Sequence, residues 1–85
     1  MNKQKESDLS ITDKTPKAEQ LARLRSYADL TQKMLAEKSG VSVRMIEHYE
    51  QGKKDINHAS AETIYKLSKA LGCKMEELLN IGFHE

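Results

Sequence analysis

The side chains that most often take part in catalysis or bind metals are few and widely spaced in this chain of 85 residues. The single cysteine, Cys73, follows a glycine between two apolar segments, so we interpret it as a small core residue instead of a redox sensor. The three histidines, His48, His58 and His84, have no carboxylate or cysteine at ligand spacing, and we expect no metal site. No serine, histidine and acidic residue form a recognisable nucleophile arrangement, so we expect neither an enzyme nor a bound cofactor.

Charge is distributed unevenly along the chain, although the formal net charge is only +1. Residues 17–54 carry eight basic and five acidic side chains, whereas residues 55–85 carry three basic and five acidic ones. A nearly neutral total can therefore conceal a basic face on the N-terminal half. Such a face is typical of proteins that bind nucleic acid, but many solvated helical surfaces have the same composition.

Length and composition predict one small, all-α domain with one modest core. Four glycines and one proline, with abundant Leu, Ala, Lys and Glu, favour helices over strands. The lone cysteine cannot form an internal disulfide, no apolar run approaches the ~20 residues that span a bilayer, and the polar N-terminus is unlike a signal peptide. These features predict a cytoplasmic protein that does not associate with membranes.

Hydrophobic periodicity divides the chain into a flexible N-terminal tail at residues 1–16, a helical domain at 17–80 and a C-terminal tail at 81–85. The tail is predicted to be flexible because it has almost no large apolar residues. The first two helices of the domain are expected at residues 17–28 and 32–39.

Capping residues predict where the later helices begin. Ser42 is expected to cap a third helix that runs to residue 51, followed by a polar loop at residues 53–58. The start of the fourth helix is ambiguous, because either Asn57 or Ser60 could cap it. A short fifth helix is expected at residues 75–80.

Residues around the second and third helices meet the spatial demands of two short helices that cross at a steep angle. A small residue is needed where the third helix crosses the second, and Ala36 stands there. A glycine four residues later permits the tight turn, and Gly40 stands there. Apolar residues that hold both helices to the core follow at suitable offsets: Leu35, Val41, Ile46 and Tyr49. The pattern predicts a helix-turn-helix, whose second helix fits the major groove of DNA.

On these positions the chain resembles the Cro/C1-type (XRE-like) helix-turn-helix family, which includes lambdoid phage repressors and many small bacterial regulators. The resemblance rests on LTQKMLAEKSGVSVRMIEHYEQG at residues 30–52 and on ETIYKLSKALGCKMEELL at residues 62–79. With the first helix, it covers about residues 17–80. It implies a compact five-helix, lambda-repressor-like DNA-binding domain.

The resemblance also implies which residues face the base edges. These are Ser42 and three residues of the third helix, Val43, Arg44 and His48. Arg44 could donate a bidentate pair to guanine, and otherwise it is a solvated surface charge. Val43 stands where many relatives have a polar residue, and it offers only methyl contact, suited to a thymine methyl. His48 could contact a base, a phosphate or neither.

Phosphate contacts and one internal ion pair are implied in the same way. Gln32, at the start of the second helix, looks like the family glutamine that bonds a DNA phosphate, and helix N-termini favour such anions independently. Lys53 and Lys54, just beyond the third helix, look like phosphate-binding residues. Arg25 and Glu50 match the family's ion pair between the first and third helices, which would set the tilt of the recognition helix.

Two functions remain open on this reasoning. The first is a homodimeric transcriptional regulator, expected to be a repressor, that binds double-stranded DNA at a pseudo-palindrome with half-sites about 34–36 Å apart. Its dimer surface is expected at the fifth helix and the chain end, where Leu79, Ile81 and Phe83 follow the last core residues. The second is an antitoxin-like protein that binds a partner toxin and regulates its own operon. Only the polar N-terminal tail is available for partner capture, which favours the first.

Overall fold

Five α-helices and one short 3-10 turn make up residues 16–79, the part of the chain that the computed structural model describes. In chain order they are α1 (Pro16–Tyr27), α2 (Gln32–Ser39), α3 (Val43–Glu50), the 3-10 turn (Ile56–His58), α4 (Ala61–Leu71) and α5 (Met75–Leu78). No strand occurs between residues 16 and 79, which confirms the predicted all-α fold. No helix in this range combines the length and the apolar character needed to cross a membrane.

The ends of the chain lie outside the described residues. They include nearly all of the proposed N-terminal tail, the whole C-terminal tail, and Ile81 and Phe83 of the expected dimer surface. Pro16, which was assigned to the tail, begins α1. Proline suits a first helical position because it lacks the amide hydrogen that would have no partner there.

Hydroxyl caps set the start of three helices. The side-chain oxygens of Thr31, Ser42 and Ser60 each accept a hydrogen bond from the backbone amide three residues later, at 3.0 to 3.1 Å. Each cap satisfies one of the amides that a helix leaves without a partner at its N-terminus. Ser60 is therefore the residue that starts α4, and Asn57 lies inside the 3-10 turn.

The turn between α1 and α2 depends on a left-handed residue that is not glycine. Asp29 has φ 60°, its amide donates to the Ser26 carbonyl at 2.9 Å, and the Leu30 amide donates to the Arg25 carbonyl at 3.1 Å. This pair of bonds ends a helix by satisfying its last carbonyls. α1 consequently stops at Tyr27, one residue before the predicted end.

The turn between α2 and α3 depends on Gly40. Its φ is 81°, and its amide donates to the Ala36 carbonyl at 2.8 Å. A Cβ atom added there would meet no heavy atom within 4 Å. Glycine is therefore favoured here by its backbone conformation and not by lack of space, because residues with a side chain rarely adopt a left-handed backbone.

One apolar cluster holds the helices together, and it includes the four residues predicted to tie the helix-turn-helix to the core. Its buried members are Leu21, Leu35, Val41, Ile46, Tyr49, Ile56, Ile64, Leu67, Ala70 and Leu78. Ile56 is the exception within the loop predicted to be polar at residues 53–58: it is 2% exposed and anchors the 3-10 turn to the core. This anchor fixes the segment that follows α3.

Two tyrosines lie largely in solvent. Tyr27 is 76% exposed at the end of α1, and Tyr65 is 53% exposed on α4. The Lys69 ammonium lies 5.7 Å from the centre of the Tyr65 ring, a weak cation–π contact at an exposed site. Neither tyrosine belongs to the core.

Candidate nucleic-acid interface

The third helix has one buried face and one outward face. Ile46 is 0% exposed and Tyr49 is buried beside it, and burial raises the pKa of the Tyr49 hydroxyl above its usual value. At 100° per residue, Arg44 and His48 lie on the opposite side of the helix. Arg44 is exposed and His48 is half-buried. The core thus directs the side of α3 that carries Arg44 away from the protein.

The N-terminal end of α3 carries the other two residues predicted to face bases. Ser42 is exposed, and its Oγ accepts the Met45 amide at 3.1 Å, so its hydroxyl hydrogen remains available for donation. Val43 is 38% exposed and takes no part in the apolar core. Of the four predicted base-facing residues, Ser42, Val43 and Arg44 are therefore exposed and His48 is half-buried.

A bidentate ion pair holds α3 against α1. Arg25 Nε donates to Glu50 Oε2 at 2.7 Å and Nη2 donates to Oε1 at 3.1 Å, while Nη1 donates to the Leu30 carbonyl at 2.9 Å. The two side chains are only 19% and 8% exposed. The hydrogen bonds to Glu50 raise the pKa of the Arg25 guanidinium above its usual value, against the opposing effect of burial. Such charge-assisted pairs have defined geometry, so this one orients the end of α3.

The amide of Gln32 extends this ion pair to α2. Its Nε2 donates to Glu50 Oε1 at 2.9 Å, so the Glu50 carboxylate accepts bonds from α1 and from α2. An amide nitrogen carries two hydrogens. The second hydrogen of Gln32 Nε2 has no acceptor within residues 16–79. Gln32 is also the first residue of α2, so this hydrogen lies at the N-terminal end of that helix. Gln32 can therefore serve the ion pair and still meet a phosphate, which stays a prediction.

The two lysines after α3 are held by their backbone, while their side chains remain in solvent. The amides of Lys53 and Lys54 both donate to the His48 carbonyl, at 2.9 and 3.2 Å. Gly52, at φ 78°, makes the turn that brings them there. Neither ammonium group forms an ion pair with any residue that the structure describes. The arrangement fixes two positive charges at the C-terminal end of α3.

One residue of the outward face was missed. Gln51 is exposed and follows the last residue of α3, seven positions after Arg44. Seven residues are close to two helical turns, so both side chains lie on the same side of the helix. That spacing from Arg44 is the signal in the sequence that identifies Gln51 as a further residue of this face.

The chemistry that this surface supports is recognition of a polyanion by hydrogen bonding. It presents a guanidinium, a hydroxyl, an amide and two ammonium groups. Within residues 16–79, no group of three or more His, Cys, Asp or Glu side chains is placed to hold a metal ion. Two short helices joined by the turn at Gly40, the second of which exposes one face, define a helix-turn-helix DNA-binding domain.

A comparison with protein families gives the same result. The sequence profile of a helix-turn-helix family matches residues 21–78, more than half of the chain. This chain therefore belongs to the Cro/C1-type helix-turn-helix family and is a DNA-binding transcriptional regulator.

Among solved structures, this chain is similar to the restriction-modification controller protein C.AhdI from Aeromonas hydrophila. The sequences are 30% identical, and the TM-score is 0.66 over 74% of this chain and 91% of that one. A comparison with curated proteins found no match. The structural similarity covers most of both chains and agrees with the family assignment.

Proposed function

We propose that this protein is a sequence-specific transcriptional repressor that binds a pseudo-palindromic operator as a homodimer, with α3 in the major groove. The observation that supports the proposal most is the position of Arg44, exposed on the side of α3 opposite the buried Ile46 and Tyr49. A groove-reading helix needs this division, because one face must be held rigidly while the other meets the bases.

Base recognition is assigned to the outward face of α3 and the residue before it. Arg44 donates two hydrogen bonds to the O6 and N7 atoms of a guanine, a contact worth about 1–3 kcal/mol of discrimination. His48 lies one turn further on, and Ser42 offers one hydroxyl hydrogen. Val43 completes the set with an apolar contact.

Phosphate contacts flank this face and set its register on the duplex. Lys53 and Lys54 bind phosphates at the C-terminal end of α3, and Gln32 binds one at the start of α2 with the amide hydrogen that Glu50 does not use. Contacts of this kind contribute affinity for every sequence, and salt weakens them. The sequence preference consequently depends on the residues of α3.

Dimerisation follows from how little DNA a single α3 can read. Two copies on half-sites about 34–36 Å apart read enough base pairs to select an operator. Leu79, half-buried after α5, marks the expected contact surface next to the chain end. The similarity to a protein described as a controller is consistent with a regulatory role. A cytoplasmic location is part of the same proposal.

Selection of bound DNA from a random pool tests this function. The expected result is enrichment of a two-fold symmetric sequence with half-sites about one helical turn apart. Enrichment of one half-site without symmetry would contradict the homodimer. Failure to enrich any sequence would overturn sequence-specific regulation and would favour the antitoxin-like alternative. A toxin-like reading frame next to the gene would support that alternative independently.

A further inference from the structure

The first residue of the recognition helix has no hydrogen-bonding capacity. Val43 begins α3, is 38% exposed and takes no part in the apolar core. Its branched side chain offers methyl groups alone. The base that faces it can therefore be distinguished only by an apolar contact.

The polar side chains at the N-terminal ends of α2 and α3 each make one hydrogen bond within the protein. Ser42 Oγ accepts the Met45 amide at 3.1 Å. Gln32 donates to Glu50 at 2.9 Å, which directs its amide toward the ion pair with Arg25. Each of these side chains keeps one hydrogen to donate, but neither carries a methyl group, so the apolar contact of Val43 is separate from any hydrogen bond that they make.

The apolar feature that bases present in the major groove is the C5 methyl of a pyrimidine. Thymine carries this methyl, and side chains make apolar contact with it. 5-Methylcytosine carries a methyl at the same ring position, whereas cytosine and uracil carry hydrogen there. A side chain that reads only the methyl distinguishes methylated from unmethylated pyrimidines.

We propose that Val43 is a specificity-determining residue that recognises pyrimidine C5 methyl groups, so that the protein binds a half-site with 5-methylcytosine opposite Val43 more tightly than one with cytosine. The inference rests on the proposed function, because it needs α3 in the major groove. Its consequence is that methylation of a cytosine in the operator strengthens occupancy by this protein.

Adding or removing one C5 methyl group at a time in the selected operator tests the proposal. Each thymine of one half-site is replaced in turn by deoxyuridine, and each cytosine in turn by 5-methylcytosine, which change the methyl and leave the hydrogen-bonding edges intact. One position is expected to respond by about fourfold in Kd, the value for burying a single methyl group. At that position the Kd values of a cytosine duplex and of its 5-methylcytosine counterpart are also compared. The effect of the thymine methyl and that of the 5-methylcytosine methyl are then measured separately.

Variants of Val43 connect the response to this side chain. Val43→Ser should bind the methylated and unmethylated duplexes equally, and Val43→Gln should also lose the methyl response while gaining preference for adenine. Tyr65→Ser, which changes an exposed residue of α4, is the matched control and should keep the fourfold response. Unfolding curves confirm that each variant is folded at the assay temperature.

The outcomes separate this inference from the proposed function. An enriched operator in which no pyrimidine methyl matters overturns the inference alone, as does a methyl response that survives in both Val43 variants. A response to thymine without one to 5-methylcytosine overturns the methylation consequence. Failure to enrich any sequence overturns the proposed function and the inference together.

Discussion

Arg25 on α1 and Glu50 at the end of α3 are joined by two hydrogen bonds, 2.7 Å from Nε to Oε2 and 3.1 Å from Nη2 to Oε1. The third nitrogen of the guanidinium donates to the Leu30 carbonyl in the turn before α2. One side chain therefore connects the recognition helix to the turn that positions its partner helix. The pair acts as an orienting contact for the proposed DNA-binding face.

Breaking the pair on one side should destabilise the fold strongly. Arg25→Met leaves the Glu50 carboxylate, 8% exposed, without its counter-charge, and we expect the free energy of unfolding to fall by about 3 kcal/mol. The double change Arg25→Met with Glu50→Leu should recover much of this loss, because no buried charge then remains. Urea denaturation measures both.

The control for this experiment is Arg23→Met. Arg23 pairs with Glu19 at 3.8 Å, and both side chains are more than half exposed. Such a surface pair should contribute less than about 1 kcal/mol. A loss in Arg25→Met as small as that of the control, or a double variant less stable than the single one, would contradict the orienting role.

Gly40→Ala should lower stability without disturbing the fold. The residue has φ 81°, and an added Cβ would contact nothing within 4 Å, so the cost is that of a left-handed alanine, about 1–2 kcal/mol. Thermal unfolding should show this loss, and DNA affinity measured well below the transition should be unchanged. A much larger loss would indicate a close approach between α2 and α3 at this turn.

The local chemistry of the sequence predicts much of this fold. Ser42 caps α3 as predicted, and Leu35 and Ile46 are fully buried, as predicted for residues that tie the two helices to the core. These predictions are correct because each of them depends on residues that are only a few positions apart in the sequence. Gly40 was likewise identifiable because its conformation is one that other residues disfavour.

The features that sequence reasoning missed depend on contacts between distant residues or on exceptions to local rules. Ile56 is a single apolar residue in a polar segment, so no periodicity revealed its burial. Asp29 takes a left-handed conformation without being glycine. The bond from Gln32 to Glu50 joins residues eighteen positions apart, and no local pattern indicates it. The roles of the base-facing and phosphate-facing residues stay predictions until DNA binding is measured.

Lys53→Ala should weaken binding to all DNA equally. The loss of one phosphate contact should reduce the slope of log K against log salt concentration by about one unit. Kd values for operator and scrambled duplexes across a salt series give both quantities. Lys66→Ala, which removes a lysine on α4 paired with Glu62 at 2.9 Å, is the control and should leave the slope unchanged. A loss confined to the operator would contradict the phosphate role.

Cys73 should react slowly with alkylating reagents. Burial, and then the negative charge of Glu77, raise the pKa of the Cys73 thiol, so at any given pH near neutrality less of it is thiolate than in a free cysteine. Its alkylation rate should rise with pH, and Glu77→Gln should increase the rate by lowering the pKa. The urea-unfolded chain provides the unshifted rate. Equal rates in the folded and unfolded chain would contradict this account of the thiol.

The most direct test of the central claim, that α3 reads DNA through its outward face, is the ratio of Kd values for scrambled and selected DNA in Arg44→Ala. We expect this ratio to fall by at least about fivefold, because each lost bidentate contact to guanine is worth about 1–3 kcal/mol, while the unfolding curve stays unchanged. Arg23→Ala, at an exposed arginine of α1, should keep the full ratio. An Arg44→Ala variant that is folded and retains the sequence preference of the parent would contradict the claim.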